Sequence, residues 1–157
     1  MWQIGIWEQS EGLAERVTSL AQGRGCLVRA SYHPALLAGV PFHLLAVSPS
    51  AQGWAGAGAL SCQVALIPGG VPALTRSLPA RTVVSYGSSS RDTLALSSLE
   101  EQRAAVAIQR EFTTLDGRTV ERQELILPYD GTPLDHYLLL VGAGLLLGRL
   151  TPPGAGN

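Results

Sequence analysis

Five short apolar runs separated by glycine- and proline-marked turns constrain this chain more than any other feature. They are WQIGIW from Trp2, CLVRAS from Cys26, FHLLAVS from Phe42, QVALI from Gln63 and TVVSY from Thr82. Runs this short, apolar and bounded by breakers read as buried strands. Between the first two lies SEGLAERVTSLAQGRG, which has helix grammar. Ser10 is placed to cap it, Glu11 stands near its positive end, and Leu13, Val17 and Leu20 share one face. Gly23 and Gly25 stop it. A turn or short helix through His33–Leu37 leads to the third run, and VPALTRSL, after Gly69–Gly70, reads as a helix between the fourth and fifth. Strands alternating with helices predict a mostly parallel, doubly wound, Rossmann-like α/β sheet over residues 1–87. The loop SPSAQGWAGAGALS, poor in large side chains, either moves freely or packs tightly against something.

After Gly87 the pattern changes. TLALSSL reads as a strand, and AAVAIQREFTTLDGRTVERQELIL as a long antiparallel hairpin turning at Asp116–Gly117. A two-residue type I′ turn there sets Glu111 opposite Arg122 and Arg110 opposite Gln123. Val106 and Ile108 then face Leu127 and Leu125. PLDHYLLLVGAGLLLGRL closes the chain as a helix within residues 133–150, where Gly142, Ala143 and Gly144 permit close backbone approach. The expected organisation is one domain over residues 1–150, with antiparallel strands in 88–128 and a disordered tail at 151–157.

Composition narrows the function. Only 15% of the 157 residues are charged, the formal net charge is -1, and all 11 basic residues are arginine. Without a basic run there is no electrostatic footprint for nucleic acid. YLLLVGAGLLLG is well short of the ~20 residues that cross a bilayer, so a buried helix is expected and a membrane span is not. The first residues lack the basic-then-apolar order of a signal peptide. Cys26 and Cys62 stand apart without a CxxC, which reads as two thiols in a reducing compartment, and a cytoplasmic location is expected.

The order of parts from Ile4 to Leu150 resembles the central, ATP-binding domain of the Mur ligase superfamily. VALIPGGVPAL corresponds to that family's strand and Asn-x-Asp-Asp-Pro turn, TVVSYG to its Val-Val-Thr-Phe-Gly strand, and RDTLALSSL to its Ala-Asp-Val strand. QRAAVAIQREFTTLDGRTVERQELILP stands for its small antiparallel sheet and DHYLLLVGAGLLLG for its Ala/Leu-rich helix. Where the family has a strand running into Gly-x-x-Gly-Lys-Thr-Thr, this chain has IGIWEQSEGLAERV. The lysine and the Thr-Thr pair are missing, and Glu8 and Glu11 bring negative charge to the place of a triphosphate. PGG replaces the Asn-x-Asp-Asp turn. The resemblance therefore implies the fold without the catalysis: ATP is not expected to bind, and no cofactor is expected.

Two glycine turns are the candidate ligand-binding positions. Gly69 and Gly70, between a strand and a helix, form either an amide nest for an anion or a tight turn needing positive φ. Gly87, Ser88 and Ser89 lie at a strand's carboxyl end, beside the crevice where open α/β sheets bind ligands, or else form a solvated connection. Asp92 reads as a turn or cap residue. Asp135 suits a helix start better than a proton relay with His136. His33, His43 and His136 show no metal spacing, no Gly-x-Ser-x-Gly nucleophile exists, and no catalytic residue is assigned. The expectation is a non-catalytic, Mur-ligase-like module acting through a protein partner or self-association, with cell-envelope processes implied by the family. The alternative is a small-molecule module or enzyme, binding an anion or nucleotide in the crevice at the strands' carboxyl ends.

Overall fold

The apolar runs do become strands, and their order across the sheet decides where a site can lie. The computed structural model describes residues 1–152, so residues 153–157 of the expected tail lie outside it. The parallel strands are β1 (Trp2–Trp7), β2 (Cys26–Ser31), β3 (Pro41–Val47), β4 (Ser61–Pro68) and β5 (Ala80–Gly87). Then follow β6 (Leu94–Leu99), β7 (Arg103–Ile108), β8 (Phe112–Thr113), β9 (Thr119–Val120) and β10 (Gln123–Pro128). The helices are α1 (Leu13–Ala21), α2 (Pro72–Ser77) and α3 (Leu134–Leu146), with 3-10 turns at Pro34–Leu36 and Trp54–Ala59. Eight strands form one mixed sheet in the order β10-β7-β6-β5-β4-β3-β1-β2, while β8 and β9 make a separate two-stranded ribbon.

The sheet has two unequal covers. On one face, α1 and α3 pack over a cluster that includes Ile4, Leu44, Leu66, Val84, Leu94 and Val106, and so spans both halves of the sheet. On the other, the two 3-10 turns and α2 cover Trp7, Phe42, Leu45, Ala65 and Ile67, which belong to β1, β3 and β4. From β5 onward that second face carries Val83, Ala95, Ala105 and Ile126, none of which joins the buried cluster beneath α2. Burying a leucine or isoleucine stabilises by about 1.5–3 kcal/mol, so both covered faces contribute heavily to the fold.

Two glycines make the close approaches possible. A Cβ on Gly142 of α3 would stand 2.8 Å from Leu66 Cδ1, and one on Gly5 of β1 would stand 2.9 Å from Leu45 Cδ1 and Phe42. The Gly/Ala/Ser loop turns out to be clamped: Ala51 and Ala57 are buried, and Trp7 donates its indole N–H to Gln52 O at 3.1 Å.

Strand β6 continues the sheet where β5 ends. The two run parallel but share only the pairs Tyr86–Leu94 and Gly87–Ala95. Such a stagger lets a short loop replace the dozen or more residues that a full parallel crossover takes. Ser85 and Thr93 brace it, each backbone N–H donating to the other's hydroxyl at 3.2 Å.

The hairpin register differs from the expected one. Val106 pairs with Leu125, and Ile108 with Gln123. Asp116 lacks the positive φ that a type I′ turn needs, since Ser10 is the only non-glycine with positive φ among the described residues. Instead Leu115, Asp116 and Gly117 form a three-residue loop, with Thr114 N–H donating to Arg118 O at 2.8 Å and Gly117 at φ 89°. Irregular residues between the ribbon and β7/β10 add the rest. The total displacement is two residues, so the same side chains still face the core.

Candidate functional site at the carboxyl ends of the parallel strands

Strand β1 lies between β2 and β3, so the chain winds one way from β1 to β2 and the other way from β3 onward. Open α/β sheets bind ligands at such a reversal, outside the carboxyl ends of the strands. Here that place holds the loop Glu8–Gly12 after β1, the loop from Ser48 after β3, and the first turn of α3.

The side chain of Glu8 folds back onto its own loop and is 6% exposed. Its Oε1 accepts the N–H of Glu11 at 2.8 Å and of Leu13 at 3.2 Å, and its Oε2 accepts the N–H of Ala14 at 2.6 Å. Ser10 at φ 58° and Gly12 at φ 76° bend the loop so that these amides converge. The first backbone N–H groups of a helix have no partner within it and favour an anion. Ser10, expected to cap α1, makes no side-chain cap; Gly12 is the N-cap residue, and the carboxylate of Glu8 supplies the acceptor.

A second carboxylate links the three segments. Glu11 Oε1 accepts the Ser48 hydroxyl in a short hydrogen bond and the N–H of Gln9 at 3.1 Å, while Oε2 meets His136 Nε2 at 2.7 Å. Burial acts to raise the Glu11 pKa, but the donors Ser48, Gln9 and His136 prevail and hold it below the ordinary carboxylate value. Ser48 is 1% exposed, and its Oγ also accepts Ser50 N–H at 3.1 Å. Beneath them Tyr86 donates its hydroxyl to Val47 O at 2.5 Å; burial, with Asp135 and Glu11 nearby, pushes its pKa far up.

Serine, glutamate and histidine are thus in contact, but their wiring is not that of an acyl-transfer triad. A nucleophilic serine hydroxyl is bonded to an imidazole that takes its proton, and the carboxylate orients the imidazole. Here the carboxylate is in the middle, and Ser48 donates to Glu11 instead of to His136. The arrangement ties loops together. Among the described residues no three His, Cys, Asp or Glu side chains form a metal-binding group.

The five residues singled out in the sequence come together at the ends of β4 and β5. Gly69 N–H donates to Tyr86 O at 2.8 Å, joining the two turns, and Gly70 has φ 76°. Ser88 and Ser89 are exposed. The space between the turns holds Asp92, which is 4% exposed. A Cβ on Gly69 would lie 1.9 Å from Asp92 Oδ1, and one on Gly87 would lie 2.6 Å from Oδ2. Asp92 Oδ2 accepts Ser89 N–H at 3.0 Å, and Gln109 Nε2 donates to Ser89 O at 3.0 Å and Asp92 O at 2.8 Å. Both glycine turns therefore close on a carboxylate belonging to the chain.

Sequence reasoning missed Glu8 as a cap, the Ser48–Glu11–His136 link and the position of Asp92. The one visible signal was acid immediately after the first strand. Pairing Glu11 with a residue 125 positions away, as His136 is, leaves no local pattern. Compared with models of known protein families, and with curated proteins, this chain matches none.

Proposed function

We propose that this chain is a non-catalytic, Rossmann-like module of the Mur-ligase type, acting by binding a protein partner or a second copy of itself. The reading rests above all on Glu8: its carboxylate occupies the amides at the start of α1, where a nucleotide-binding loop holds phosphate. A phosphate arriving there has to displace a buried carboxylate that already takes three hydrogen bonds, and no lysine exists to neutralise it. The resemblance in order of parts implies the family, and through it a role in cell-envelope processes. Binding is supported by the apolar side chains left on the surface, among them Leu36 at 65%, Tyr32 at 62% and Ile126 at 60% exposed. Tyr32 and Leu36 follow edge strand β2 in the chain, and Ile126 lies on β10, outside the part of its sheet face that α2 covers.

The test is a thermal melt of the purified protein with ATP and Mg²⁺. The expected result is an unchanged melting temperature at millimolar nucleotide. A rise that saturates with ATP would overturn the reading, because ligand bound to the native state alone stabilises it by mass action.

A further inference from the structure

Helices α1 and α3 are tied together at both ends. At one end Arg16 reaches Asp130 at 3.3 Å and Thr132 Oγ1 at 2.8 Å. At the other Arg149 Nε donates to Leu20 O at 2.8 Å, and Arg24 Nη2 donates to Gly148 O at 2.9 Å. Between the ties a groove of about 610 Å³ stays open, bordered by α1, α3 and the end of β10. None of its lining residues belongs to the loops around Glu8 or Asp92.

Three features give the groove a chemistry. Its lining includes the apolar side chains of Leu20, Leu127, Tyr137 and Leu140; past its first turn α3 is apolar throughout, and Leu140 is the residue of it that stays half-buried at the groove. One wall is fixed in advance: the rings of Tyr129 and Tyr137 stand edge to face at 5.1 Å. Their hydroxyls are anchored on Thr132 O at 2.7 Å and Pro128 O at 2.6 Å. The two ends differ in charge. Arg16 is matched by Asp130, whereas Arg149 is in no ion pair among the described residues and has Arg24 as its neighbour at the same helix ends.

We propose that this groove binds a small amphipathic carboxylate, its apolar chain lying along Tyr137 and Leu140 and its head group on Arg149. The volume is that of an ordinary small-molecule pocket, and beside the Arg16–Asp130 pair its lining carries one further charge, Arg149, to orient the ligand. An exposed arginine that caps a helix still has donors to spare, since the guanidinium offers five N–H groups and one is used on Leu20 O.

The experiment is calorimetric titration of the folded protein with octanoate, and with octanol as the uncharged counterpart. Saturable one-to-one binding of octanoate, at least tenfold tighter than octanol, is expected. Arg149→Gln is expected to weaken octanoate about tenfold and leave octanol unchanged, and Arg149→Lys to retain most of the affinity. Leu140→Glu, which places a like charge in the groove, is expected to abolish octanoate binding; unchanged far-UV circular dichroism verifies that the variants are folded. No saturable binding of octanoate by the unmodified protein would overturn the proposal. Equal affinity for acid and alcohol would overturn it too, as would an Arg149→Gln variant that binds octanoate normally.

Discussion

Glu8 and Asp92 are both acids, both almost fully buried, and both at carboxyl ends of parallel strands, yet they are held in opposite ways. Glu8 accepts the backbone N–H of Glu11 in its own loop and those of Leu13 and Ala14 at the start of α1, so the loop is built around its charge. Asp92 accepts one N–H, from Ser89, and is otherwise enclosed by Gly69 and Gly87, whose missing side chains make room for it. The first carboxylate completes a helix; the second fills a space. A glycine turn next to a strand end is therefore no sign of an empty ligand nest, because the glycine can be present to admit a side chain of the same protein.

That contrast can be broken by mutation. Glu8→Ala is expected to have the largest effect, near 3 kcal/mol of lost stability by denaturant unfolding, because several partly buried N–H groups lose their acceptor together. Gly69→Ala comes next, at about 2 kcal/mol, since the new methyl group collides with Asp92 Oδ1. If Asp92 acts by filling space, Asp92→Ala removes most of that cost, and the double-mutant cycle shows coupling above about 1 kcal/mol. Additive losses would show that Gly69 matters for another reason.

Acid gives a smaller and more specific test. Glu11 has a folded pKa held below its ordinary value of 4.5, so its contribution is complete above that value and is lost as the pH falls through the lowered one. Stability measured from pH 7 downward should therefore decline more steeply in the unmodified protein than in Glu11→Gln. Parallel curves would remove the Ser48–Glu11–His136 link from the account. The smallest effect is expected at Ser10. Were it the cap of α1, Ser10→Ala would cost about 1 kcal/mol; with Glu8 in that role, the change should stay within about 0.5 kcal/mol.

Much of the fold could be read directly from residue type. β1 and β2 begin and end where their apolar runs do, and α1 is stopped at Gly23 and Gly25, both with positive φ. Those features depend on neighbours in sequence. The register of β7 against β10 depends on whether Asp116 takes a positive φ, which the Asp-Gly pair alone does not decide. The alternation of strands and turns puts the five glycine and serine positions at neighbouring strand ends, but it does not show what fills the gap between them. Asp92 stands 23 residues from Gly69 in the chain, and only the two-pair overlap of β5 with β6 brings it there. The fold-back of Glu8 likewise requires left-handed backbone at Ser10, a residue type that seldom adopts it.

The central claim is that Glu8 already occupies the amides at which a phosphate would bind. Backbone amide resonances of Glu11, Leu13 and Ala14, followed while the ¹⁵N-labelled protein is titrated with ATP and Mg²⁺, test it most directly. The account predicts that all three stay unmoved at millimolar nucleotide. Saturating shifts at those three amides would show phosphate displacing the carboxylate, and would contradict it.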